Sequence, residues 1–398
     1  MSERSAISLF TGAGGLDLGF EAAGFQTRVG VEFDPIAATT AAEHGWNVIC
    51  DDIHSVASDS LLRSAELGEG EAALLVGGPP CQPFSKSGYW ASGDARRLDD
   101  PRADTLVAYM RVVRDTLPEV FVLENVHGIN YSGKEEGLLF LQDAVEEINR
   151  ERGVNYTVAW SVLNAVEYGV PQRRTRFFMV GHRGGRTFSF PKPTHGEGRA
   201  PFVTAWDAIG GLEPDHAEDL TARGRWARLL PSIPEGENYL WHTDRKGGEP
   251  LFGWRTRFWN FLLKLAKDQP AWTIQAQPGP SVGPFHWDSR YLSTRELARL
   301  QTFPDHVQFA GNRRAVQRQI GNAVPALLAE TIGRAVRHQL LEDGGSLVPT
   351  LAIPYRRPIP PAEAIAPVPD EYLVLRGSHS AHPGTGRGPG SVVANAAD

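Results

Sequence analysis

One of the two cysteines in this chain has the setting of a nucleophile. Cys81 directly follows Pro79 and Pro80, and two prolines stiffen the backbone and so fix the direction of the sulfur. The other, Cys50, ends the apolar run Val48–Cys50, which is typical of a structural thiol. Two cysteines are too few for a disulfide framework or a tetrahedral metal site. The pattern therefore indicates thiolate chemistry at Cys81.

A carboxylate is placed to face the same cleft as this thiol. Glu124 follows the apolar segment Val120–Leu123, and Cys81 lies shortly after the apolar segment Ala73–Val76. If these segments are neighbouring parallel strands, their carboxyl ends lie at one edge of the sheet. We therefore expect Cys81 and Glu124 to come together there.

Three further strand ends fit an adenosyl ligand. The glycine-rich turn Phe10–Leu16 allows close approach of the backbone to a ligand. Glu32, 18 residues after Gly14, can accept hydrogen bonds from two ribose hydroxyls, and Asp52 can accept one from an adenine amino group. Asp17 stands where a dinucleotide fingerprint has its third glycine, which counts against a pyrophosphate-bearing cofactor such as NAD.

Short apolar segments that alternate with helix-length segments predict the sheet that positions these side chains. Such alternation is typical of a doubly wound α/β fold, in which helices cover both faces of a largely parallel sheet. The predicted strands are Ile7–Phe10, Arg28–Val31, Val48–Cys50, Ala73–Val76, Val120–Leu123, Tyr156–Leu163 and Arg176–Gly181. The predicted helices include Leu16–Ala23, Leu106–Leu117, Thr294–Leu300 and Pro325–Leu341.

Charge is divided unevenly along the 398 residues. Residues 1–170 carry 12 Lys and Arg against 26 Asp and Glu, whereas residues 171–340 carry 24 against 15. Such asymmetry is a hint of nucleic-acid contact, because phosphate binding needs local positive potential. The segment 85–102 after Cys81 is rich in small and basic residues, which favours a mobile loop that closes over a polyanion.

The remaining composition indicates a soluble folded chain. Hydrophobic residues make up 41% of it and the net charge is −7, both typical of globular proteins. No apolar run approaches the ~20 residues of a membrane span, and residues 1–5 do not begin a signal peptide. We therefore expect a cytoplasmic protein.

Six separated motifs, in a single order, carry a resemblance to a known family. They are Phe10–Gly15, Pro80–Gln82, Glu124–Val126, Gln172–Arg176, Arg295–Pro304 and Gly321–Ala323. Together they resemble the bacterial DNA cytosine-5 methyltransferases over about Ser8 to Leu341.

The resemblance implies a fold and a division of the chain. The fold is α/β, a doubly wound mixed seven-stranded sheet of the S-adenosylmethionine-dependent methyltransferase type with a second, smaller target-recognition domain. The catalytic and cofactor-binding domain is expected over 1–190 and the target-recognition domain over 191–311. A C-terminal helix over 312–342 is expected to return to the catalytic domain, and a flexible Pro/Gly-rich tail is expected over 343–398.

The resemblance also implies roles for four catalytic residues. Carbon 5 of cytosine is a poor nucleophile, so an enzyme first adds a thiolate to carbon 6. By resemblance Cys81 is that thiolate and Glu124 is the protonated carboxyl at ring nitrogen 3. Arg174 and Arg176 match the family's paired arginines, the second of which contacts the exocyclic oxygen of the base. The cytosine must be flipped out of the duplex to be reached.

S-adenosylmethionine is the implied methyl donor, and no metal is implied. By resemblance its site is lined by Phe10, Gly12, Gly14, Leu16, Glu32, Phe33, Asp52, Ile53, Pro79, Leu106, Asn322 and Ala323. Within this set Phe33 and Ile53 are expected to sandwich the adenine. The implied partner is double-stranded DNA. The resemblance leaves open whether the enzyme belongs to a restriction-modification system, with a separately acting cognate restriction endonuclease, or is a solitary bacterial methylase. We expect a monomer in the bacterial cytoplasm, associated with the nucleoid when bound to DNA.

Arginines and tryptophans interleaved between residues 223 and 259 belong to the expected recognition domain. Arginine can pair with guanine in the major groove, whereas we expect the tryptophans chiefly to pack in the core. Their pattern does not specify which DNA sequence is recognised.

Three other functions compete with this interpretation. A tRNA cytosine-5 methyltransferase shares the scaffold, but such relatives usually have Phe where this chain has Gln82, and their recognition region is compact. A catalytically silent DNA-binding protein is disfavoured because Cys81, Glu124 and Arg176 are all present. A nicotinamide oxidoreductase is disfavoured by Asp17.

Overall fold

A computed structural model describes residues 4–80, 104–127, 136–213, 218–253 and 259–377. The strands are β1 (Arg4–Leu9), β2 (Phe25–Glu32), β3 (Val48–Cys50), β4 (Leu74–Gly77), β5 (Val120–Val126), β6 (Thr157–Asn164) and β7 (Thr175–His182). The helices are α1 (Gly15–Ala22), α2 (Pro35–Glu43), α3 (Ser58–Ala65), α4 (Asp104–Thr116), α5 (Glu136–Arg152), α6 (Ala205–Ile209), α7 (Thr294–Leu300), α8 (Arg313–Asn322), α9 (Ala326–Gln339) and α10 (Asp370–Leu373).

The seven strands form one mixed sheet in the order β3-β2-β1-β4-β5-β7-β6. Strands β1 to β5 run parallel to one another, and β7 runs antiparallel to both β5 and β6. The predicted doubly wound mixed sheet is thus confirmed. The strand order reverses between β1 and β4, where Leu9 pairs with Gly77, and a ligand crevice is expected at such a switch point.

Helices cover both faces of the sheet. On β5, Phe121 and Leu123 pack into a core with α3, α4 and α5, while Val120 and Val122 face the opposite core with α1 and α9. Burial on both faces is the reason that these strands are continuous apolar runs in the sequence.

Helix α9 returns to the sheet and packs closely on α1. A Cβ atom on Gly19 of α1 would lie 2.3 Å from the Ala326 carbonyl oxygen and 2.4 Å from the Ala329 Cβ. A Cβ on Gly15 would lie 2.3 Å from the Val324 oxygen. Glycine is therefore required on α1, and its close packing brings residues 322–324 beside the glycine-rich turn.

Beyond β7 the described chain is mostly irregular and builds two more apolar clusters. One cluster joins Ala41 and Trp46, near α2, to residues of α6, α7 and α8. The other is formed mainly by the region 229–285 and includes Leu230, Tyr239 and Tyr372. None of the helices in the described ranges is long and apolar enough to cross a membrane.

One feature differs from the sequence-based expectations. Cys50 is exposed rather than buried, because β3 is the edge strand of the sheet. Within the tail for which flexibility is predicted, residues 344–377 contact the rest of the protein, and Tyr372 is only 5% exposed. The Pro/Gly composition of this segment does not predict these contacts, because the contacting residues do not recur with the period of a helix or a strand. Residues 378–398 lie outside the described residues.

Candidate active site

The turn between β1 and α1 brings backbone close to the crevice. Gly12 and Gly14 have φ angles of 58° and 78°, a conformation that glycine adopts without strain. A Cβ on Gly14 would lie 2.1 Å from the Trp46 ring, so this glycine is needed for packing. A Cβ on Gly12 would meet nothing closer than the Phe10 oxygen at 3.9 Å, so space for a ligand is open at Gly12.

Glu32, at the end of β2, is fixed by two backbone donors. The Gly12 N–H donates to its Oε2 and the Asp34 N–H donates to its Oε1, each at 2.7 Å. Burial raises the pKa of Glu32, while these two hydrogen bonds oppose the rise. The side chain is therefore held in one orientation at the crevice, and each oxygen keeps a lone pair for a further donor.

A single cavity of about 470 Å³ extends from this turn to the end of β5. Eight of the twelve predicted cofactor residues line it: Phe10, Gly12, Leu16, Glu32, Phe33, Pro79, Asn322 and Ala323. Phe33 is 72% exposed despite its large apolar ring. An open aromatic face beside a fixed carboxylate suits a ligand with a flat ring and hydroxyl groups.

The other four predicted cofactor residues do not line this cavity. Gly14 packs against Trp46, and Ile53 and Leu106 are buried in the core on one face of the sheet. Asp52 is half-buried, and its Oδ1 accepts the His54 N–H at 3.0 Å. Of the two side chains expected to sandwich the adenine, Phe33 lines the cavity and Ile53 does not.

Glu124 and Arg176 form an ion pair at the other end of the cavity. Arg176 lies opposite Val126 in the antiparallel register of β5 and β7, and its Nε lies 2.8 Å from Glu124 Oε1. A Cβ on Gly78 would lie 2.8 Å from Glu124 Oε2. The carboxyl group therefore fits only because residue 78 has no side chain.

Burial dominates the titration of Glu124. It raises the pKa of this carboxyl, because a low-dielectric site disfavours the charged form. The Arg176 and Arg174 guanidinium groups oppose the rise. The site thus holds a carboxyl group that is more readily protonated than an exposed glutamate.

Arg174 also lines this cavity and joins distant parts of the chain. It is 1% exposed, and its Nη2 donates to the Gly321 oxygen at 2.7 Å while Nη1 donates to the Ile274 oxygen at 3.3 Å. Burial lowers the pKa of its guanidinium group well below the usual value. The two predicted arginines therefore differ in kind: Arg176 faces Glu124, and Arg174 ties β7 to residues 274 and 321.

Cys81 lies outside the described residues, as does the segment 85–102 for which a mobile loop is predicted. The two residues before it are described, and both Pro79 and Pro80 line the cavity that contains Glu124. The Asn125 side chain donates to the Pro79 oxygen at 3.2 Å. The backbone that leads into Cys81 thus enters this cavity beside Glu124.

Several residues with structural roles at the site were not predicted. Gln172 is fully buried, accepts the Ile274 N–H at 3.1 Å and donates to the Leu300 oxygen at 3.2 Å. Gln301 donates to the Ile320 oxygen at 2.7 Å. Both glutamines lie inside the family motifs quoted above, and this is the only feature of the sequence that could have identified them. Their hydrogen-bond partners could not be predicted, because these are more than a hundred residues away or on other elements.

The arginine- and tryptophan-rich region contains both packed and exposed aromatic rings. Trp287 is 5% exposed, and Trp226 packs on Phe252 with ring centroids 5.0 Å apart, as core packing predicts. Trp259 is instead 45% exposed and lies edge-on to Trp272 at 4.9 Å. Residues 254–258, with three of the predicted arginines and tryptophans, lie outside the described residues.

Comparison with known proteins places the chain among methylases. The family model described as C-5 cytosine-specific DNA methylase matches residues 5–222 and 253–338. Type II methyltransferase M.SacI of Streptomyces achromogenes is 40% identical over 386 residues, which cover 88% of this chain and 97% of that protein. Type II methyltransferase M1.HphI of Haemophilus parahaemolyticus is 34% identical, with 83% and 86% covered.

Solved structures agree on the fold. A crystal structure described as a prophage-encoded DNA modification methyltransferase of E. coli matches with a TM-score of 0.61 and 24% identity, over 85% of this chain and all of that one. The methyltransferase EhMeth of Entamoeba histolytica matches with a TM-score of 0.56 and 15% identity, over 85% and 99%.

The seven-stranded fold is the methyltransferase fold of these solved structures. The chain belongs to the C-5 cytosine-specific DNA methylases, as the family model and its relatives show. It is a DNA cytosine-5 methyltransferase.

Proposed function

We propose that this chain methylates carbon 5 of a cytosine flipped out of a specific duplex DNA sequence, through a covalent bond between Cys81 and ring carbon 6. The observation that carries the proposal is the buried pair of Glu124 and Arg176 at one end of a cavity into which Pro80 leads. At the other end Glu32 and Phe33 offer a carboxylate and an aromatic face.

In this mechanism each residue has one task at a stated atom. The Cys81 thiolate adds to carbon 6, and the displaced electron pair makes carbon 5 nucleophilic. Protonated Glu124 donates a hydrogen bond to ring nitrogen 3, and Arg176 donates one to the exocyclic oxygen, so both stabilise the added electron density. Once carbon 5 carries the new methyl group, loss of its proton expels the Cys81 thiolate and restores the aromatic ring.

The residues of the cavity fit the methyl donor. S-adenosylmethionine supplies an electrophilic methyl group when bound. Glu32 would accept hydrogen bonds from its ribose hydroxyls, and Phe33 would stack on its adenine. Phe10, Gly12, Leu16, Pro79, Asn322 and Ala323 would enclose the rest. We retain Gly14, Asp52, Ile53 and Leu106 as part of the proposed site in supporting positions.

The proposed organisation assigns catalysis to residues 1–190, target recognition to 191–311 and a returning helix to 312–342. The relatives' name, Type II methyltransferase, supports a place in a restriction-modification system with a separately acting endonuclease. We propose that the protein acts as a monomer on duplex DNA in the bacterial cytoplasm.

Covalent trapping tests the catalytic proposal. Bisulfite sequencing of host DNA from cells that express the chain first gives the target sequence. A duplex with 5-fluorocytosine at that position is then incubated with the protein and the methyl donor. Fluorine cannot leave as a proton would, so the adduct persists. We expect a DNA–protein adduct that peptide mass spectrometry maps to Cys81.

Cys50 provides the matched control because it is the other thiol and is exposed. Cys81→Ser should abolish both adduct and methylation, while Cys50→Ser should retain both. A tRNA arm of the methyl-transfer assay examines the competing RNA function. Robust DNA methylation by Cys81→Ser, or an adduct at another residue, would show that the proposed mechanism is wrong.

A further inference from the structure

The C-terminal residues 344–377, named the strap here, follow the part of the chain that the family model covers. That model ends at residue 338 and also omits residues 223–252. Within the described residues the strap nevertheless contacts α9, α6 and the omitted segment 223–252 in turn. Two parts of the chain that lie outside the family pattern are thus packed on each other.

The first attachment is to α9. Glu330 is fully buried, and its Oε1 accepts the Thr350 N–H at 2.6 Å while its Oε2 accepts the Leu351 N–H at 2.8 Å. The Thr350 hydroxyl donates to the same carboxylate at 2.8 Å. A buried carboxylate without its donors is costly, so these hydrogen bonds hold the strap firmly on α9.

The second attachment is to α6, and here too a buried carboxylate accepts hydrogen bonds from the strap. Asp207 is 1% exposed, and its Oδ1 accepts the Arg356 N–H and an Arg357 guanidinium N–H, both at 2.6 Å. The other oxygen caps the start of α6 by accepting the Thr204 N–H. One buried carboxylate therefore fixes both the helix and the strap.

The third attachment reaches the segment 223–252. Glu235 Oε1 accepts the Glu363 N–H at 2.8 Å and the Lys267 ammonium at 2.8 Å. Lys267 is 3% exposed and also donates to Glu363 at 2.7 Å and to the Pro361 oxygen at 3.1 Å. The strap thus supplies part of the counter-charge of a buried lysine, whose desolvation needs such partners.

The strap ends in an aromatic contact with the same segment. Tyr372 stacks on Trp226 with ring centroids 5.7 Å apart and an interplanar angle of 24°, and its hydroxyl donates to the Arg225 oxygen at 2.7 Å. The Ala366 N–H donates to the Pro231 oxygen at 2.9 Å. Tyr372 is therefore part of the apolar cluster on which residues 229–251 are built.

We propose that the strap is part of the target-recognition unit: it holds residues 223–252 in the position from which the protein binds its DNA sequence. The inference rests on the proposed recognition role of residues 191–311. Its residues are positioning residues, because they act through the segment they hold. DNA binding should therefore depend on the strap, whereas methyl-donor binding should not.

Steady-state kinetics of full-length variants test this proposal on duplex DNA with the target sequence. Tyr372→Ala removes both the stacked ring and the hydroxyl donor. We expect its KM for DNA to rise about tenfold, with kcat and the methyl-donor Kd little changed, because a small displacement of a binding segment weakens productive binding strongly. Tyr372→Phe keeps the ring and should recover most of the loss. Val374→Ala, at a residue 79% exposed on the same strap, is the control.

Hydrogen exchange gives a second readout that does not depend on activity. Backbone amides of residues 229–241 should exchange faster in Tyr372→Ala than in the wild type, while those of β1 and β4 should not change. If Tyr372→Ala does not fold, Glu363→Gln replaces it as a milder change at Lys267, with the same expectations.

The outcomes separate the two proposals. A wild type that does not methylate DNA contradicts the proposed function, whereas unchanged exchange in residues 229–241 contradicts the strap whatever the activity. With an active wild type, an unchanged KM in Tyr372→Ala or Glu363→Gln overturns the inference. A parallel loss of methyl-donor affinity also overturns it, because the strap would then support the whole fold rather than recognition.

Discussion

Arg174 and Arg176 have different partners although both line the same cavity. Arg174 precedes β7 and is buried with hydrogen bonds to residues 274 and 321, whereas Arg176 lies on β7 and pairs with Glu124. Residues two apart in an extended segment face the same side, so backbone direction alone does not separate their roles. The motif identifies both arginines, but only the register of β5 and β7 shows which of them contacts the carboxyl group.

Replacing Glu124 by Gln should remove the alkaline fall from the pH profile of the methylation rate. Burial raises the pKa of Glu124, so the protonated form that the mechanism needs persists to a higher pH than in an exposed glutamate and is lost as pH rises further. In the wild type the rate should therefore fall on the alkaline side. Glu124→Gln should lower the single-turnover rate by about 10²–10⁴-fold and should no longer show that fall.

Single-turnover methylation measured across the neutral and alkaline range checks this. Methyl-donor affinity should be unchanged in the variant, since Glu124 lies at the opposite end of the cavity from Glu32. An alkaline fall that persists in Glu124→Gln would assign the titration to another group.

At the level of elements, the packing of α1 on α9 positions two segments of the cofactor cavity. The turn 10–14 leads into α1, and residues 322–324 lead into α9. Gly19 and Gly333 allow the two helices to approach closely, since a Cβ on Gly333 would lie 2.8 Å from the Ala23 Cβ. Two segments that are far apart in the sequence therefore meet at the cavity.

Gly19→Ala should destabilise the protein although alanine favours helix. The added methyl meets the Ala326 oxygen and the Ala329 Cβ within 2.4 Å, and overpacking of this kind costs about 1–3 kcal/mol, against about 1 kcal/mol gained in helix propensity. The free energy of unfolding from denaturant titration checks this. Gly344→Ala, where a Cβ has no neighbour within 4 Å, is the control. A more stable Gly19→Ala protein would show that the helices can separate without loss.

The sequence predicts elements better than their arrangement. All seven strands were predicted within a few residues of their observed bounds, because buried parallel strands form short continuous apolar runs. The insertion of β7 between β5 and β6 has no local signal, since it depends on pairing across the whole sheet. The exposure of Cys50 likewise follows from the edge position of β3, which its own sequence does not reveal.

At the scale of the whole molecule, the basic half uses much of its charge internally. Arg290 pairs with Glu296 at 2.7 Å, and Arg318 pairs with Asp34 across the chain. Arg337 pairs with Asp343 at 3.0 Å. The charge asymmetry indicated nucleic-acid contact, but much of it proves to be structural. A count of Lys and Arg along the sequence thus could not locate the DNA-binding surface. Likewise, the amino-acid composition of residues 344–377 could not predict the contacts of the strap.

The cavity is built from segments that are far apart in the sequence, so occupation by the methyl donor should stabilise the molecule as a whole. A ligand that binds only the folded state adds RT ln(1 + [L]/Kd), about 2.7 kcal/mol when free ligand is 100 times Kd. Denaturant unfolding with and without S-adenosylmethionine should show this gain in the wild type. Cys81→Ala should show the same gain, because the proposed donor site does not need the thiol.

Glu32→Gln should reduce that gain. An amide has one acceptor oxygen for the Gly12 and Asp34 N–H groups and for the ribose, so a hydrogen bond to a charged group is lost, at a cost of about 1.5 kcal/mol or more. Donor affinity then falls about tenfold, and the ligand-induced gain at the same concentration falls to about 1.4 kcal/mol. Because each protein is compared with its own ligand-free form, any intrinsic destabilisation by the substitution cancels. An undiminished gain in Glu32→Gln would place the adenosyl group elsewhere in the cavity.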